Sequence, residues 1–211
     1  MNDRFNNFVK YITDNFPGPF MNYMRDQIKT SQLRTSSLYE ITKLAFAATN
    51  LDELYKSIHK SISKLMYAEN FYIAIYEKDD KIIRFPYWVD KIDIDGHSDI
   101  EFDSMSLTGH CITLGVPLLY DHIEIMDLQT KKKVKPLGTI PEWYMWLGVP
   151  LKIGDNIIGA IVVQTFEKNK ILTNDDRDLL NFVSELAAMV IERKRLEAKQ
   201  LDYQANLEKK I

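Results

Sequence analysis

The sequence predicts an α+β fold in which antiparallel strands are covered by amphipathic helices. Three observations predict it. Residues 146–164 read as two apolar strands joined by Gly154-Asp155-Asn156, residues that accept positive φ at low cost and so mark a tight hairpin turn. Residues 70–76 and 81–89 are rich in β-branched and aromatic side chains around the polar turn 77–80, a second hairpin. Apolar residues recur at helical spacing on both sides of these hairpins, over 51–66 and from 173 onward.

Taken in order, Phe5, Phe8, Val9, Ile12 and Phe16 form one apolar stripe, a helix that Pro17-Gly18-Pro19 breaks. Its polar face is not basic enough for a membrane-surface helix, so it docks on its own domain or on a dimer mate. A second helical pattern runs from Phe20 to about Ala48, with a polar, Ser/Thr-rich middle at 29–37. Residues 1–39 are set apart as N-terminal helices. Thr49-Asn50 caps the next helix, with acids in its first turn and an apolar stripe of Leu51, Leu54, Tyr55, Ile58, Ile62 and Leu65 up to Met66. His59 falls on the polar side of that helix, an exposed position.

After the first hairpin, residues 90–103 are polar and acidic, a loop. Residues 107–114 form a short helix closed by Gly115. A short strand follows at 116–120, then a long loop, or a short helix plus loop, over 121–142. In the last hairpin, residues 157–163 are almost wholly apolar, so that strand is covered on both faces and central. Pro150 predicts an edge position or a bulge in its partner, and Gly159 a close approach by another element. Strand parity puts Gly159, Ile161 and Val163 on one face, which we assign to the helices, and Ala160, Val162 and Gln164 on the other.

Thr173-Asn174-Asp175-Asp176 caps a long final helix. Its apolar face is broad as far as Ile191 and narrow beyond it. Phe182, Met189, Leu196 and Tyr203 recur every seventh residue, and Leu186 and Leu207 fall on the partnering stripe, which Arg193 and Gln200 interrupt. A broad face followed by a narrow seam describes a helix that leaves its domain to pair with another. Residues 193–211 are therefore expected to form a coiled-coil segment, and Phe182, Leu186, Met189, Leu196 and Tyr203 to make a homodimer contact. The pattern has no stop signal by Ile211, so an output domain is expected C-terminal to it.

The chain has 211 residues, 45% apolar and 27% charged, ordinary values for a folded protein. A net charge of −3 gives no reason to expect nucleic acid. A single cysteine, Cys111, excludes an intrachain disulfide and a Cys-rich zinc site and fits a reducing, cytoplasmic setting. No run approaches the ~20 apolar residues of a membrane span, and the first residues carry no secretory pattern.

Residues 70–76, 107–118 (Leu107-Thr-Gly-His-Cys-Ile-Thr-Leu-Gly-Val-Pro-Leu118), 146–164 and 172–180 running into Glu192-Arg193-Lys194 occur in an order that resembles the GAF domain, a signal-input module of regulatory proteins. The likeness spans about residues 40–195, and residues 40–192 are assigned to that domain. It implies a central antiparallel sheet, helices from both ends packed on one face, and a pocket on the other face built by the acidic loop and the short helix. It does not name a ligand, since such domains bind cyclic nucleotides, bilins, haem, amino acids or nothing known, and the cofactor stays unknown.

On that pocket face the resemblance and the parity together select Tyr72, Ala74, Trp88, Leu107, His110, Cys111, Trp143, Trp146, Ala160 and Gln164 as ligand-binding candidates. They belong to a wider aromatic set with Tyr76, Tyr87 and Tyr144, whose flat rings and polar tips suit a planar or amphipathic ligand, or else fill the pocket themselves. His110 precedes Cys111, the reverse of the order in bilin-binding relatives, which argues against covalent bilin. One cysteine argues against the methionine sulfoxide reductase branch. Asp93, Asp95 and Gly96 mimic part of a calcium loop, but Lys91 and Phe102 occupy its end positions. Lys131, Lys132, Lys133 and Lys135 read as a solvated loop, and no metal site is expected. No catalytic constellation is present. The sequence therefore points to a cytoplasmic small-molecule sensor that dimerises through its terminal helices and signals to a diguanylate cyclase or histidine kinase output. The alternative is a ligand-free dimerisation module; an enzyme is the weakest reading.

Overall fold

A computed structural model describes residues 50–96, 98–135, 138, 139 and 141–208, with isolated positions before residue 50. The chain divides into two units, Met1–Tyr39 and Glu40–Ile211. In the first, Gly18, residues 22–25, Ile28 and Thr35 are helical. The helix expected over 3–16 and most of the one over 20–48 lie outside the described residues, and the break expected at Pro17-Gly18-Pro19 meets helical backbone at Gly18.

The second unit runs α1 (Leu51–Ile62), β1 (Asn70–Glu77), β2 (Ile82–Val89), β3 (Ile100–Glu101), α2 (Leu107–Leu114), β4 (Leu118–Tyr120), α3 (His122–Thr130), β5 (Met145–Ile153), β6 (Asn156–Thr165) and α4 (Asn174–Glu208). The strands form one six-stranded sheet in the order β3-β2-β1-β6-β5-β4, every pairing antiparallel. The apolar β6 lies inside the sheet, as a strand buried on both faces must. Gly154, at φ 59°, leads the two-residue turn between Ile153 and Asn156, the position where a type II′ turn takes glycine.

Each helix start has a physical cause. Asn50 accepts the Glu53 N–H at the head of α1, Ser106 accepts the Gly109 N–H at the head of α2, and Asp121 and Glu124 form a reciprocal capping box on α3. Gly115, left-handed at φ 65°, ends α2. Three expectations are refined. α1 stops at Ile62 and continues as turns rather than helix to Met66. The loop 90–103 contains the two-residue edge strand β3, too short for a periodic signal. Residues 121–142 contain the helix α3.

The sheet separates two apolar layers. On one face, Leu54, Ile58 and Ile62 of α1 and Leu180, Val183, Ala187 and Ile191 of α4 pack on Phe71, Ile73, Leu147, Leu151 and Ile161. On the other, Cys111 and Ile112 of α2 and Ile125 of α3 pack on Tyr72, Ala74, Trp146, Ala160 and Val162. The parity read from residues 160–164 holds. Gly159 has a different reason from the one expected: a Cβ there would lie 2.0 Å from the Ala74 carbonyl oxygen, so the close neighbour is β1, not a helix. A β-bulge skips Ile158 in the β5–β6 register and turns Ile157 toward α2 and Ile158 toward α4. Pro150 sits beside that bulge and beyond the three residues that β4 pairs, and its carbonyl accepts the Ser184 hydroxyl of α4 at 3.2 Å.

α4 has 35 residues, about 52 Å at ~1.5 Å per residue. Its buried residues end at Ile191, and Arg195 makes a last tie to the sheet through Glu77, 2.5 Å away. Among the described residues, no helix is long and apolar enough to cross a membrane.

His59 corrects the expectation of exposure. Its ring stacks on Phe71 at 4.4 Å; Nε2 donates to the Ala68 carbonyl, 2.7 Å, which leaves Nδ1 to accept the Tyr87 hydroxyl, 2.9 Å. Both bonds suit the neutral imidazole, and burial holds its pKa below the ordinary 6.5. The unfolded chain therefore takes up a proton that the folded state resists. Stability is complete above about pH 6.5 and falls as the pH drops through that value toward the folded pKa. We expect Tm to decrease between pH 7.5 and 5.5, and His59→Phe to flatten part of that decrease; an identical slope in the variant would assign the effect elsewhere.

Candidate functional site

The site lies on the α2 face of the sheet. Its floor is Tyr72 from β1 and Trp146 from β5. The indole of Trp146 lies over Gly148, where a Cβ would come within 2.0 Å of the ring, so the glycine makes the space that lets the ring lie flat. From there Trp146 Nε1 donates to the Tyr72 hydroxyl at 3.2 Å, and the same hydroxyl bonds Thr108 Oγ1 of α2 at 2.9 Å. Burial pushes the Tyr72 phenol up to about 12, so it acts as a neutral hydrogen-bonding group.

One wall comes from β2. Trp88 stacks on Tyr72, ring centroids 4.6 Å apart, and Phe85 meets both edge-on. Strict alternation would put Phe85 and Trp88 on opposite faces. A register shift between Ile73 and Ile75 sets two residues of β2, Phe85 and Pro86, against Ala74 alone of β1, and so both rings face the site. Tyr144, Phe166 and Pro141 line the opposite side, with Ser106 and Leu107 of α2 above. The rim joins two loops. The Asp93 carbonyl accepts Trp88 Nε1 at 2.8 Å, and its carboxylate accepts the Thr139 N–H at 3.0 Å. Asp90 Oδ1 fixes that loop by accepting the N–H groups of Ile92 and Asp93. The space enclosed is about 50 Å³, room for a few waters and small against the ~300–1,000 Å³ of drug-sized pockets.

The polar side chains of the site divide into two kinds. Tyr72, Thr108 and Trp146 bond one another, and Ser106 donates to Asp103 O while accepting from Gly109 N. Gln164 also lines the cavity, and its side-chain amide makes no hydrogen bond among the described residues, although its backbone carbonyl accepts from Asn70.

Of the sequence candidates, Tyr72, Trp88, Leu107, Trp146 and Gln164 line the cavity. Ala74, Cys111 and Ala160 lie in the same apolar layer without reaching its wall. Burial pushes the Cys111 thiol up to about 12, and Sγ lies 3.8 Å from the Val116 carbonyl. His110 is corrected: one helical position from the inward-facing Cys111, it is half-buried outside the cavity, where burial and the Lys133 charge lower its pKa. Trp143 is also corrected. It stands three positions before Trp146, just ahead of β5, and packs on the α1/α4 face with Met145 and Leu147. Tyr87 goes to that face as well, with His59. Sequence reasoning missed Phe85, Asp93, Ser106, Thr108, Thr139, Pro141 and Phe166 as lining residues. The cap role of Ser106 was the one available signal, since it fixes where α2 begins. Among the described residues, no three His, Cys, Asp or Glu side chains converge as a metal site would require.

A GAF domain family model matches residues 48–192, more than half of the chain. The chain belongs to the GAF family. No curated protein matches it in sequence. Solved GAF structures share its fold. The GAF domain of a phosphoenolpyruvate-protein phosphotransferase from Coxiella burnetii aligns at TM-score 0.62 and 16% identity, over 80% of this chain and 98% of that one. A free methionine-R-sulfoxide reductase from Neisseria meningitidis, solved with its substrate, aligns at 0.60 and 11% over 80% and 93%. The phycoerythrobilin-bound GAF domain of a cyanobacterial phytochrome aligns at 0.55 and 14% over 78% and 97%. At these identities the likeness is one of fold, and the ligands of those proteins are theirs alone.

In this GAF domain the seam candidates of α4 fall into two groups. Phe182 and Leu186 are half-buried against the domain, whereas Met189, Leu196 and Tyr203 are 54%, 57% and 66% exposed.

Proposed function

We propose that this GAF domain is a cytoplasmic regulatory input module. It binds a small molecule between α2 and the sheet, dimerises in parallel through α4, and biases an output domain C-terminal to residue 211, by family analogy a diguanylate cyclase or a histidine kinase. The observation that carries ligand sensing is the Gln164 amide, a hydrogen-bonding group on the cavity wall that no described residue satisfies, beside a floor whose polar groups satisfy one another. The stripe of Met189, Leu196 and Tyr203 supports pairing of the helices. A single free cysteine fits the reducing compartment. Signalling is two-state: a ligand shifts the packing under α4 only by its differential affinity for the two states. The module is not an enzyme in this reading. Its one thiol is buried and held protonated, whereas redox turnover needs an accessible thiolate.

A second reading has its own observation. The cavity of about 50 Å³ is filled largely by the protein's own rings, as in a ligand-free dimerisation module. Native mass spectrometry of the purified protein separates the two. Ligand sensing gives a stoichiometric co-purifying mass that Gln164→Leu reduces; the bare polypeptide mass favours the ligand-free module.

A further inference from the structure

We infer that the ligand site of this domain extends past Tyr144 to His122 and Gln129 of α3, and that it takes an uncharged ring compound whose polar edge both donates and accepts hydrogen bonds. The inference deepens the ligand-sensing reading and rests on it. Two buried polar atoms that the fold leaves without a bond point there.

His122, Ile125 and Gln129 stand three and four positions apart and so share one face of α3. Ile125 shows what that face meets: it is fully buried, in the apolar layer with Tyr72, Tyr144 and Trp146. The same face carries His122 and Gln129 where apolar side chains would pack. His122 Nδ1 and Gln129 Nε2 are buried, and neither has a hydrogen-bond partner among the described residues. Asp121 and Glu124 cap α3, so neither side chain is needed to start the helix. An unbonded buried polar atom weakens the fold, and native proteins keep few of them.

Tyr144 stands between these atoms and the cavity. It lines the cavity, and neither His122 nor Gln129 is among the described lining residues. Yet the His122 ring meets the Tyr144 ring edge-on, centroids 5.8 Å apart. Burial raises the Tyr144 pKa, and the nearby Gln129 amide offsets part of that rise. Even with one Gln129 N–H turned to the Tyr144 hydroxyl, the other stays open. A turn of the Tyr144 ring joins the cavity of about 50 Å³ to the two atoms and vacates the space of a phenol. The joined site keeps Gln164, opposite Trp146 in the sheet, on its wall.

The open groups also describe the ligand. They are two primary amides, Gln129 and Gln164, each with a donor and an acceptor end, and an imidazole nitrogen that does either according to its tautomer. Such groups bond best to an edge of the same dual kind, as a carboxamide or lactam presents. Asp93, the one charged side chain among the described lining residues, is engaged at the rim by the Thr139 N–H. A ligand charge held between two amides would lose water and gain no opposite charge. Tyr72, Trp88 and Trp146 supply flat walls for a ring.

Three probes of one shape test this: benzamide, uncharged, which both donates and accepts; benzoate, an anion that only accepts; and benzamidinium, a cation that only donates. Each is titrated into the intact chain by calorimetry, with tryptophan fluorescence as a second readout. Benzamide is expected to bind about ten-fold tighter than either ion. Gln129→Met and His122→Phe keep the size of the side chain and remove the open atom. Each should weaken benzamide about ten-fold and leave Tm equal or higher, because an unbonded buried polar atom is gone. Tyr144→Ala should speed benzamide association about ten-fold in stopped-flow fluorescence, because no ring has to move first. Benzamide affinity unchanged in both α3 variants, with a lower Tm, assigns the two atoms to an ordered water and overturns the extension, as does an unchanged association rate in Tyr144→Ala. An ion bound as tightly as benzamide overturns the ligand class and leaves the sensing reading standing. Silence of all three probes also overturns the inference, and the native mass spectrum of the protein as purified then decides the sensing reading separately.

Discussion

Replacing Gly159 by alanine is expected to destabilise the domain by roughly 3 kcal/mol, a fall of about 6–12 °C in Tm for a chain of this size. The new Cβ would stand 2.0 Å from the Ala74 carbonyl oxygen and 3.0 Å from Ala74 C and Ile75 Cα. All three are backbone atoms of β1, so no rotamer change relieves the clash. Only separation of two interior strands does, and those strands pair over Asn70–Gln164 through Ile75–Gly159. The substitution adds apolar surface yet should destabilise, because steric overlap outweighs one buried methyl, worth about 0.8 kcal/mol. Thermal and urea unfolding of the variant check this, and a Tm within about 2 °C of the parent would mean that the strands separate far more easily than their packing implies.

The largest change in assembly is expected from Leu196→Asp combined with Tyr203→Asp. Both residues are more than half exposed beyond the last tie of α4 to its sheet, so the fold has little to lose from either change. In the proposed dimer the same positions face their counterparts in a parallel seam, and four carboxylates would enter an apolar contact. The cost is about 4 kcal/mol or more, roughly 1,000-fold in the dimer dissociation constant. Sedimentation should give monomers with an unchanged far-UV spectrum. A dimer of undiminished affinity would remove the seam and leave the fold untouched.

The sequence carried most of the architecture because its signals were strong and local. The apolar run at 157–163 required a central strand, and Gly154 with its polar neighbours required the turn. Caps at Asn50 and Thr173 announced two helices. The site was legible wherever a strand alternates without interruption, as at Ala160, Val162 and Gln164. It was not legible where a bulge intervenes. The irregularity near Pro86 brings Phe85 to the same face as Trp88, and the one at Ile158 exchanges the faces of Ile157 and Ile158. Both bulges arise from pairing between strands, which the local sequence does not contain. Asp93 and Thr139 meet across 46 positions of chain and lay beyond local reasoning for the same cause. Trp143 was a different failure. Its parity with Met145 and Leu147 was available from just ahead of the strand, and its aromatic character was given more weight than that parity.

The Arg195–Glu77 pair makes the end of α4 a lever with a defined fulcrum. From Arg195 to Glu208 the rod extends about 20 Å. A tilt of about 3° at the sheet would therefore sweep its far tip through about 1 Å, so a subtle strand displacement would reach the tip as a shift on the scale of an interatomic spacing.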